Sequence, residues 1–236
     1  MLTFRRAADR GHANTGWLEA NYSFSFAGYQ DPAHMGFRAL RVLNDDRIAA
    51  GRGFGPHGHR DMEIVTYVLA GRLRHQDSLG EERIIGPNEI QAMSAGTGVV
   101  HSEWNASQTE PVHSLQIWIV PSAEDFEPRY QQFPFSAQEK MGRLRLIAGP
   151  SRHPQETSAV IHQDAFMYAS VVRPRETVTH RLHPGRHAWV QVAEGDVVVN
   201  GETLAAGDGV ALSGEAEVVL AGSAPAGGEI LLFDLA

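Results

Sequence analysis

The chain has 236 residues, a length that accommodates one large domain or two compact ones. Its formal net charge of −8 argues against a phosphate backbone or an anionic membrane as the main partner. With 42% hydrophobic and 20% charged residues the chain can bury a core, which excludes disordered and fibrous proteins. Because there is no cysteine, disulfides, thiolate nucleophiles, iron–sulfur clusters and cysteine-based zinc sites are excluded. Histidine and carboxylate side chains are left as the strong metal ligands.

The N-terminus and the apolar runs give no sign of export or of a membrane. The first ten residues carry positive charge, but no apolar stretch follows them, unlike a secretory signal. The longest apolar runs, such as residues 115–121, are far shorter than the roughly 18 residues of a membrane-spanning helix. We therefore expect a cytoplasmic protein.

Short segments rich in Val, Ile, Leu and aromatic residues follow one another, separated by glycine and proline. This pattern of short apolar segments separated by glycine and proline is typical of all-β sandwiches and barrels. The predicted strands are residues 63–70, 72–77, 90–94, 112–120, 189–193, 196–199 and 230–235. Asn200-Gly201 predicts a type I′ hairpin, because both central residues of that turn need a positive φ. One short helix is predicted at residues 135–143, with Ser136 as its N-cap.

An internal repeat favours two domains. A series of strand, glycine turn, strand, turn and strand passes through Gly71, and a similar series passes through Gly195. Three prolines between residues 121 and 134 interrupt any strand there and indicate a boundary. We predict an N-terminal domain at residues 1–135 and a C-terminal domain at 136–236. The alternative is that two unrelated β-meanders look alike.

Two short motifs carry potential metal ligands. In a strand, His57-Gly-His59 would point both imidazoles to one face, and His101-Ser-Glu103 would do the same with an imidazole and a carboxylate. If neighbouring strands bring the pairs together, three nitrogens and one oxygen surround a single point. This ligand set suits Fe(II), Mn(II), Ni(II), Cu(II) or Zn(II), and it leaves open positions for water, O₂ or a chelating substrate.

The surroundings of the two pairs resemble the two signature motifs of the cupin superfamily. Three residues separate His59 from Glu63, and three separate His101 from Asn105, as in those motifs. Departures from the family's glycine and proline positions leave the ligand spacings unchanged. In most cupins the glutamate of the first motif is the fourth ligand, so Glu63 competes with Glu103 for that role.

A narrower resemblance covers nearly all of residues 1–121 and continues more loosely to the end. The segments that carry it are Arg10-Gly-His-Ala-Asn-Thr-Gly-Trp17, residues 24–32, residues 35–46, residues 55–67, His75-Gln-Asp-Ser78, residues 91–98 and His101-Ser-Glu-Trp-Asn105. They resemble the pirin family, and in particular its bacterial members described as quercetin 2,3-dioxygenases. The resemblance implies a bicupin, an all-β fold of two tandem, jelly-roll-like cupin β-barrels with few short helices. It also implies one divalent metal held by His57, His59, His101 and Glu103, which gives Glu63 a supporting or structural role.

The resemblance further implies a function. An Fe(II)-dependent dioxygenase, with Mn, Ni, Cu, Co or Zn as alternative metals, would cleave the heterocyclic ring of flavonols such as quercetin with O₂ and release CO. The metal would lower the pKa of the substrate's 3-hydroxyl group, and Glu103 would act as the catalytic acceptor of that proton. The expected partners are a small flavonol-like substrate and O₂, with no nucleic acid contacted directly and no membrane. The alternatives are a non-enzymatic, redox-sensing regulatory protein and a dioxygenase of a different small enediol or phenol.

The second half lacks the ligand pattern. When the two repeats are aligned on Gly71 and Gly195, Arg181 stands in the position of His57. A guanidinium cannot be deprotonated to bind a metal. We therefore expect the C-terminal domain to hold no metal and to serve as a scaffold.

Other polar residues surround the predicted site. His75 and His113 are interpreted as half-buried structural histidines, with a contact to ligands or substrate as the alternative. Ser114, Gln116 and Trp118 share one face of a predicted strand, where they either line a pocket or pack in the core.

Overall fold

The structure is a computed structural model that describes residues 1–150 and 158–236. Nearly all regular structure is β-sheet, which confirms the predicted all-β class. The strands are β1 (Leu2–Arg5), β2 (Gly11–Asn14), β3 (Leu18–Tyr22), β4 (Leu40–Ile48), β5 (Gly53–His59), β6 (Glu63–Ala70), β7 (Leu73–Asp77), β8 (Glu82–Ile85), β9 (Glu89–Ser94), β10 (Val99–Asn105), β11 (Val112–Ile119), β12 (Arg129–Pro134), β13 (Arg145–Pro150), β14 (Ala159–Ile161), β15 (Ala165–Val172), β16 (Thr177–Arg181), β17 (His187–Val199), β18 (Glu202–Ala205), β19 (Gly209–Ser213), β20 (Glu217–Gly222) and β21 (Gly228–Leu235). The helices are a 3₁₀ turn at Ala7–Asp9 and α1 at Ala137–Lys140. Within these described ranges, no helix has the length and apolar character needed to cross a bilayer.

The chain divides into two compact units. The N-terminal unit consists of Gly11–Phe135 and Ala159–Gln163, and the C-terminal unit of Met1–Arg10, Ser136–Ser158 and Asp164–Ala236. The N-terminal unit thus lacks the first ten residues of the predicted domain 1–135, and it includes Ala159–Gln163 of the predicted domain 136–236. Strand β1 pairs antiparallel with β19, which satisfies the backbone groups along that edge and ties the N-terminus to the C-terminal unit.

Two antiparallel sheets face each other in the N-terminal unit. The larger sheet has the strand order β12-β9-β6-β11-β4-β3-β2, and the smaller has the order β5-β10-β7-β8. Successive side chains of a strand point to opposite faces. In β10, Val99, His101 and Glu103 are buried, whereas Val100 and Trp104 are exposed. This alternation turns the polar residues of the β10 motif towards the interior.

Apolar clusters hold the two sheets together. One cluster joins Ile48, Val68 and Val112 of the larger sheet to Leu73 and Ile85 of the smaller. The other joins Ile64 and Met93 of the larger sheet to Val99 of the smaller. Full burial of such a side chain contributes roughly 1.5–3 kcal/mol. Apolar packing therefore stabilises the contact between the two sheets.

The C-terminal unit is built around the long strand β17. The first part of β17 lies between β19 and β21 in the hydrogen-bonded order β1-β19-β17-β21-β15-β13. Strands β18 and β20 pair with the last residues of β17. The hairpin between β17 and β18 has Asn200 and Gly201 as its two loop residues, with φ of 46° and 89°. Both values are positive, so the predicted type I′ backbone requirement is confirmed.

The predicted helix at 135–143 is shorter in the structure. Ser136 is the N-cap, and its backbone N–H donates to Glu139 Oε2 at 2.7 Å. The helix ends after one turn because Met141 is extended and bridges to Val171, and Gly142 follows with a φ of 63°.

The two glycines that anchor the internal repeat occupy equivalent positions. Gly71 follows β6 with a φ of +76°, and Gly195 lies in β17 with a φ of +69°. A Cβ on Gly71 would lie 2.6 Å from the carbonyl oxygen of Pro111, beside β11. A Cβ on Gly195 would collide with the carbonyl oxygen of Gly227, beside β21. Both positions combine a left-handed backbone with close approach of the neighbouring chain, so glycine is required at each.

We expect Gly71→Ala to lower the free energy of unfolding by about 2–4 kcal/mol, because it adds a steric clash to backbone strain. Gly80→Ala is the matched control, since Gly80 has a φ of +93° but no atom within 4 Å of its added Cβ. The control should cost about 1–2 kcal/mol, from strain alone. Urea unfolding of both variants measures the difference, and equal losses would contradict the role of close approach.

Candidate metal centre

Strands β5 and β10 bring the two predicted motifs together. His101 lies opposite His57 and Val99 opposite His59 in their antiparallel register. The register shifts between His101 and Glu103, where one additional residue of β5 is accommodated as a bulge. Bulges bend a strand and redirect neighbouring side chains. Here the bulge lies beside His57.

The three imidazole rings converge. The Nε2 atoms of His59 and His101 are 2.9 Å apart, and the ring centroids of His57 and His101 are separated by 4.5 Å. The Nδ1 of His57 lies 2.8 Å from the carbonyl oxygen of Gly55 and donates its hydrogen there, which leaves the lone pair on Nε2. Two imidazole nitrogens as close as those of His59 and His101 need a proton or a cation between them. The donor set therefore fits a transition-metal ion.

Burial favours the neutral form of His59 and His101. It lowers the pKa of His59 to about 4, and the neighbouring His57 adds to the shift. Burial also lowers the pKa of His101, with further contributions from His57, His59 and His75. Metal ligation requires the neutral ring, so the lone pairs are available without competition from protons near pH 7.

Glu103 lies on the same inner face, two residues after His101. One oxygen of Glu103 and one ring nitrogen each of His75 and His101 lie within 4.8 Å of one another. The Nε2 of Gln91 donates to Oε1 of Glu103 at 3.4 Å, and the hydroxyl of Thr66 lies at the same distance. Burial nevertheless raises the pKa of Glu103 to about 7, because it outweighs these hydrogen bonds.

His75 is more deeply buried than expected. Its side chain has no exposed surface, its Nδ1 lies 3.4 Å from Nδ1 of His101, and its Nε2 lies 3.0 Å from Oδ2 of Asp77. The interpretation of His75 as half-buried was wrong because β7 pairs with β10 and turns His75 into the cluster. His113 instead pairs with Asp45 at 2.7 Å.

Glu63 contacts a different set of residues. Its Oε2 accepts the hydroxyl hydrogen of Ser94 at 2.8 Å, and its Oε1 lies 3.0 Å from Nδ1 of His162. The His162 ring is stacked on Phe126, with centroids 4.0 Å apart. Both carboxylate oxygens of Glu63 are therefore engaged away from the imidazole cluster.

A cavity of about 310 Å³ opens beside the cluster. This volume lies in the range typical of small-molecule sites. His57, His59 and Glu103 line one side. The apolar lining consists of Leu18, Tyr22, Phe26, Ala27, Ile48, Phe54, Leu73 and Trp118. Of the two alternatives for Ser114, Gln116 and Trp118, the structure supports the pocket, because all three line it.

Two polar residues of β4 complete the cavity and were missed from the sequence. Asn44 and Asp46 are buried, and in the described part of the chain the Oδ1 atom of each has no hydrogen-bond partner. Burial raises the pKa of Asp46 to about 8, with contributions from Asp45 and Glu103. A signal was present: four consecutive polar residues, 44–47, lie in a strand that is otherwise mostly apolar.

The C-terminal unit has a separate cavity. It has a volume of about 340 Å³ and is lined in part by His183, His187 and Glu215. The Nδ1 of His187 lies 2.8 Å from the hydroxyl of Ser213. Among residues 1–150 and 158–236, both groups of three side chains able to hold a metal lie in the N-terminal unit.

Comparison with known proteins gives the family. Residues 3–119 match the model described as Pirin, and residues 146–235 match a quercetinase C-terminal cupin domain. The chain is 45% identical over 235 residues to a protein of Escherichia coli named quercetin 2,3-dioxygenase, covering 100% of this chain and 99% of the relative. The chain belongs to the pirin family. A putative quercetin 2,3-dioxygenase of Pseudomonas aeruginosa is 44% identical over 234 residues, covering 98% of this chain and 99% of the relative.

A solved pirin supports the predicted fold. The bacterial pirin YhhW of Escherichia coli, in complex with nickel(II), superposes with a TM-score of 0.92 at 45% identity and covers 100% of this chain and 99% of its own. The predicted bicupin fold of this pirin is thereby confirmed, and a divalent metal is bound by a close structural relative.

We expect Asp46 to make stability depend on pH in the metal-free protein. Its pKa is about 8 when folded, against about 3.9 for an unfolded aspartate. Between these values the unfolded chain binds fewer protons, so the free energy of unfolding falls as pH rises from 4 to 8. Glu103, whose pKa is raised in the same direction, contributes with the same sign.

Asp46→Asn removes the contribution of Asp46 to this pH dependence and retains the contribution of Glu103. The stability of this variant relative to the unmodified protein should therefore increase steadily between pH 4.5 and 7.5 in urea unfolding. A difference that is constant over this range would mean that Asp46 is ionised in the folded protein.

Proposed function

We propose that this pirin is a metal-dependent dioxygenase that opens the heterocyclic ring of a flavonol with O₂ and releases CO. The observation that carries the proposal is the convergence of three imidazoles, with the carboxyl group of Glu103 close to His101, beside a largely apolar cavity. The names of the family relatives support the substrate class, since two of the most similar are called quercetin 2,3-dioxygenase and putative quercetin 2,3-dioxygenase.

We assign the metal to His57, His59, His101 and Glu103, with Fe(II) as the first choice and Mn, Ni, Cu, Co or Zn as alternatives. The convergence of the imidazole nitrogens and the neutrality of the buried rings support this assignment. When bound, the metal would lower the pKa of the substrate's 3-hydroxyl group and supply the redox chemistry with O₂.

The protein's own residues orient the substrate and take its proton. A carboxylate oxygen of Glu103 faces the cavity beside the proposed metal position and is placed to accept the 3-hydroxyl proton. Phe26, Phe54 and Trp118 offer flat apolar surfaces that fit aromatic rings and exclude water. On the opposite sheet, Asn44 and Asp46 carry buried oxygens that can bind further substrate hydroxyl groups.

The first experiment measures O₂ consumption and CO release with quercetin by protein loaded anaerobically with Fe(II). We expect turnover by the unmodified protein and loss of both bound metal and turnover in His101→Ala. His113→Gln is the control, because His113 is a part-buried histidine of the same unit that pairs with Asp45 outside the cluster. It should retain both properties.

The outcomes separate the proposal from its alternatives. If the protein binds metal stoichiometrically but takes up no O₂ with any flavonol or other phenol, the result would favour a redox-sensing binding protein over an enzyme. Uptake with another small enediol or phenol, but not with quercetin, would change the substrate class and leave the metal site in place.

Substitutions of Glu103 and Glu63 test which of the two carboxylates binds the metal. We expect Glu103→Gln to weaken metal binding at least about tenfold, because an amide replaces an anionic ligand. Glu63→Gln should leave metal binding unchanged, since Glu63 contacts Ser94 and His162. Titration with Ni(II) against a chromophoric chelator measures both. The assignment fails if Glu63→Gln has the larger effect.

A further inference from the structure

A row of three buried side chains leads away from the imidazole cluster. Asp77 and His75 lie on β7, and His101 lies opposite Asp77 on β10. The Oδ2 of Asp77 is 3.0 Å from Nε2 of His75, and Nδ1 of His75 is 3.4 Å from Nδ1 of His101. The side chains of Asp77 and His75 have no exposed surface. The ring of Tyr130 lies 4.8 Å from that of His75 and encloses it.

The hydrogen-bonding capacity of each group dictates where the protons lie. The Oδ1 of Asp77 already accepts the backbone N–H groups of Leu79 and Glu81, at 2.9 and 3.1 Å, so the carboxylate acts as an acceptor. His75 must then carry its hydrogen on Nε2 to donate to Oδ2. A singly protonated His75 consequently presents a lone pair on Nδ1 towards His101.

His101 completes the row. Because Nδ1 of His75 is an acceptor, Nδ1 of His101 must carry the hydrogen, and the lone pair of His101 lies on Nε2. This Nε2 is the atom that lies 2.9 Å from Nε2 of His59. The row therefore ends with a lone pair aimed at the centre of the cluster.

We propose that Asp77 and His75 are positioning residues that fix the tautomer of His101 and so set the metal affinity of the site. This proposal rests on the proposed metal centre. Outer partners of ligating histidines generally fix the tautomer and raise the basicity of the ligand. Here Asp77 acts on His101 through one further residue, because Asp77 fixes the tautomer of His75 and His75 in turn fixes the tautomer of His101.

The chemistry of Asp77 allows a sharp test. In Asp77→Asn the amide oxygen can still accept the backbone N–H groups of Leu79 and Glu81, so the turn after β7 is preserved. The amide nitrogen then donates to Nε2 of His75 and moves the ring hydrogen to Nδ1. His101 must in turn hold its hydrogen on Nε2, where it blocks ligation. We expect the Kd for Ni(II) to rise about 10–100-fold, while thermal unfolding of the metal-free protein changes little.

Two substitutions of His75 test its role, because one should weaken Ni(II) binding and the other should largely retain it. His75→Phe fills the ring volume but removes the acceptor, and we expect it to weaken Ni(II) binding as Asp77→Asn does. His75→Gln offers an amide oxygen to Nδ1 of His101 and should restore much of the affinity. His113→Gln is again the control for loss of a histidine that pairs with an aspartate, and it should bind Ni(II) normally.

A spectroscopic measurement reads the tautomer directly. Long-range ¹H–¹⁵N correlation spectra of the metal-free protein distinguish Nδ1–H from Nε2–H in each ring. We expect His101 to be protonated on Nδ1 in the unmodified protein and on Nε2 in Asp77→Asn. A merely structural role for Asp77 would leave this signal unchanged.

The outcomes keep this proposal separate from the proposed function. If His101→Ala binds Ni(II) as tightly as the unmodified protein, the metal centre itself is wrong. If His101→Ala loses the metal but Asp77→Asn keeps both the Kd within twofold and the Nδ1–H tautomer, the metal centre stands and the row is overturned. A loss of affinity in Asp77→Asn without one in His75→Phe would also overturn it, because the effect would then bypass His75.

Discussion

Two imidazole nitrogens, those of His59 and His101, meet at 2.9 Å at a partly buried position, and this contact constrains the N-terminal unit. Burial favours the neutral form of both rings, so at most one ring hydrogen lies between these two nitrogens, in an N–H···N hydrogen bond. An arrangement of this kind persists only if packing elsewhere offsets its cost. The apolar clusters between the two sheets provide that packing, and they preorganise the rings for a cation.

The sheets divide the chemistry between them. The smaller sheet carries the imidazoles and Glu103, and the larger sheet contributes Asn44, Asp46, Ser114, Gln116 and Trp118 to the cavity. Asp46 and Glu103 face each other across this space, and burial raises the pKa of both into the range where cells operate. A neutral carboxyl group can donate a hydrogen bond that a carboxylate cannot. Through a neutral Asp46, the cavity can therefore offer a hydrogen-bond donor as well as acceptors.

The parts of this structure that follow local rules could be predicted from the sequence. A period of two places His57 with His59 and His101 with Glu103, and the Asn200-Gly201 turn follows from backbone preference. Pairings between distant segments could not be predicted. No spacing rule links Glu63 to His162, or β1 to β19, because such contacts depend on how complete sheets pack. His75 was misjudged for the same reason, since its burial depends on the pairing of β7 with β10.

The position of Glu63 bears on which sheet carries the proposed ligands. Glu63 begins β6 in the larger sheet, and its oxygens are engaged by Ser94 and His162, whereas Glu103 lies on β10 beside the histidines. With Glu103 as the fourth ligand, all four groups stand on β5 and β10, whose mutual position is fixed by backbone hydrogen bonds. Changes in packing between the sheets would then reshape the cavity without moving the metal. With the proposed ligands, such a division would let substitutions on β4 and β11 alter which substrate is bound while the metal chemistry stays constant.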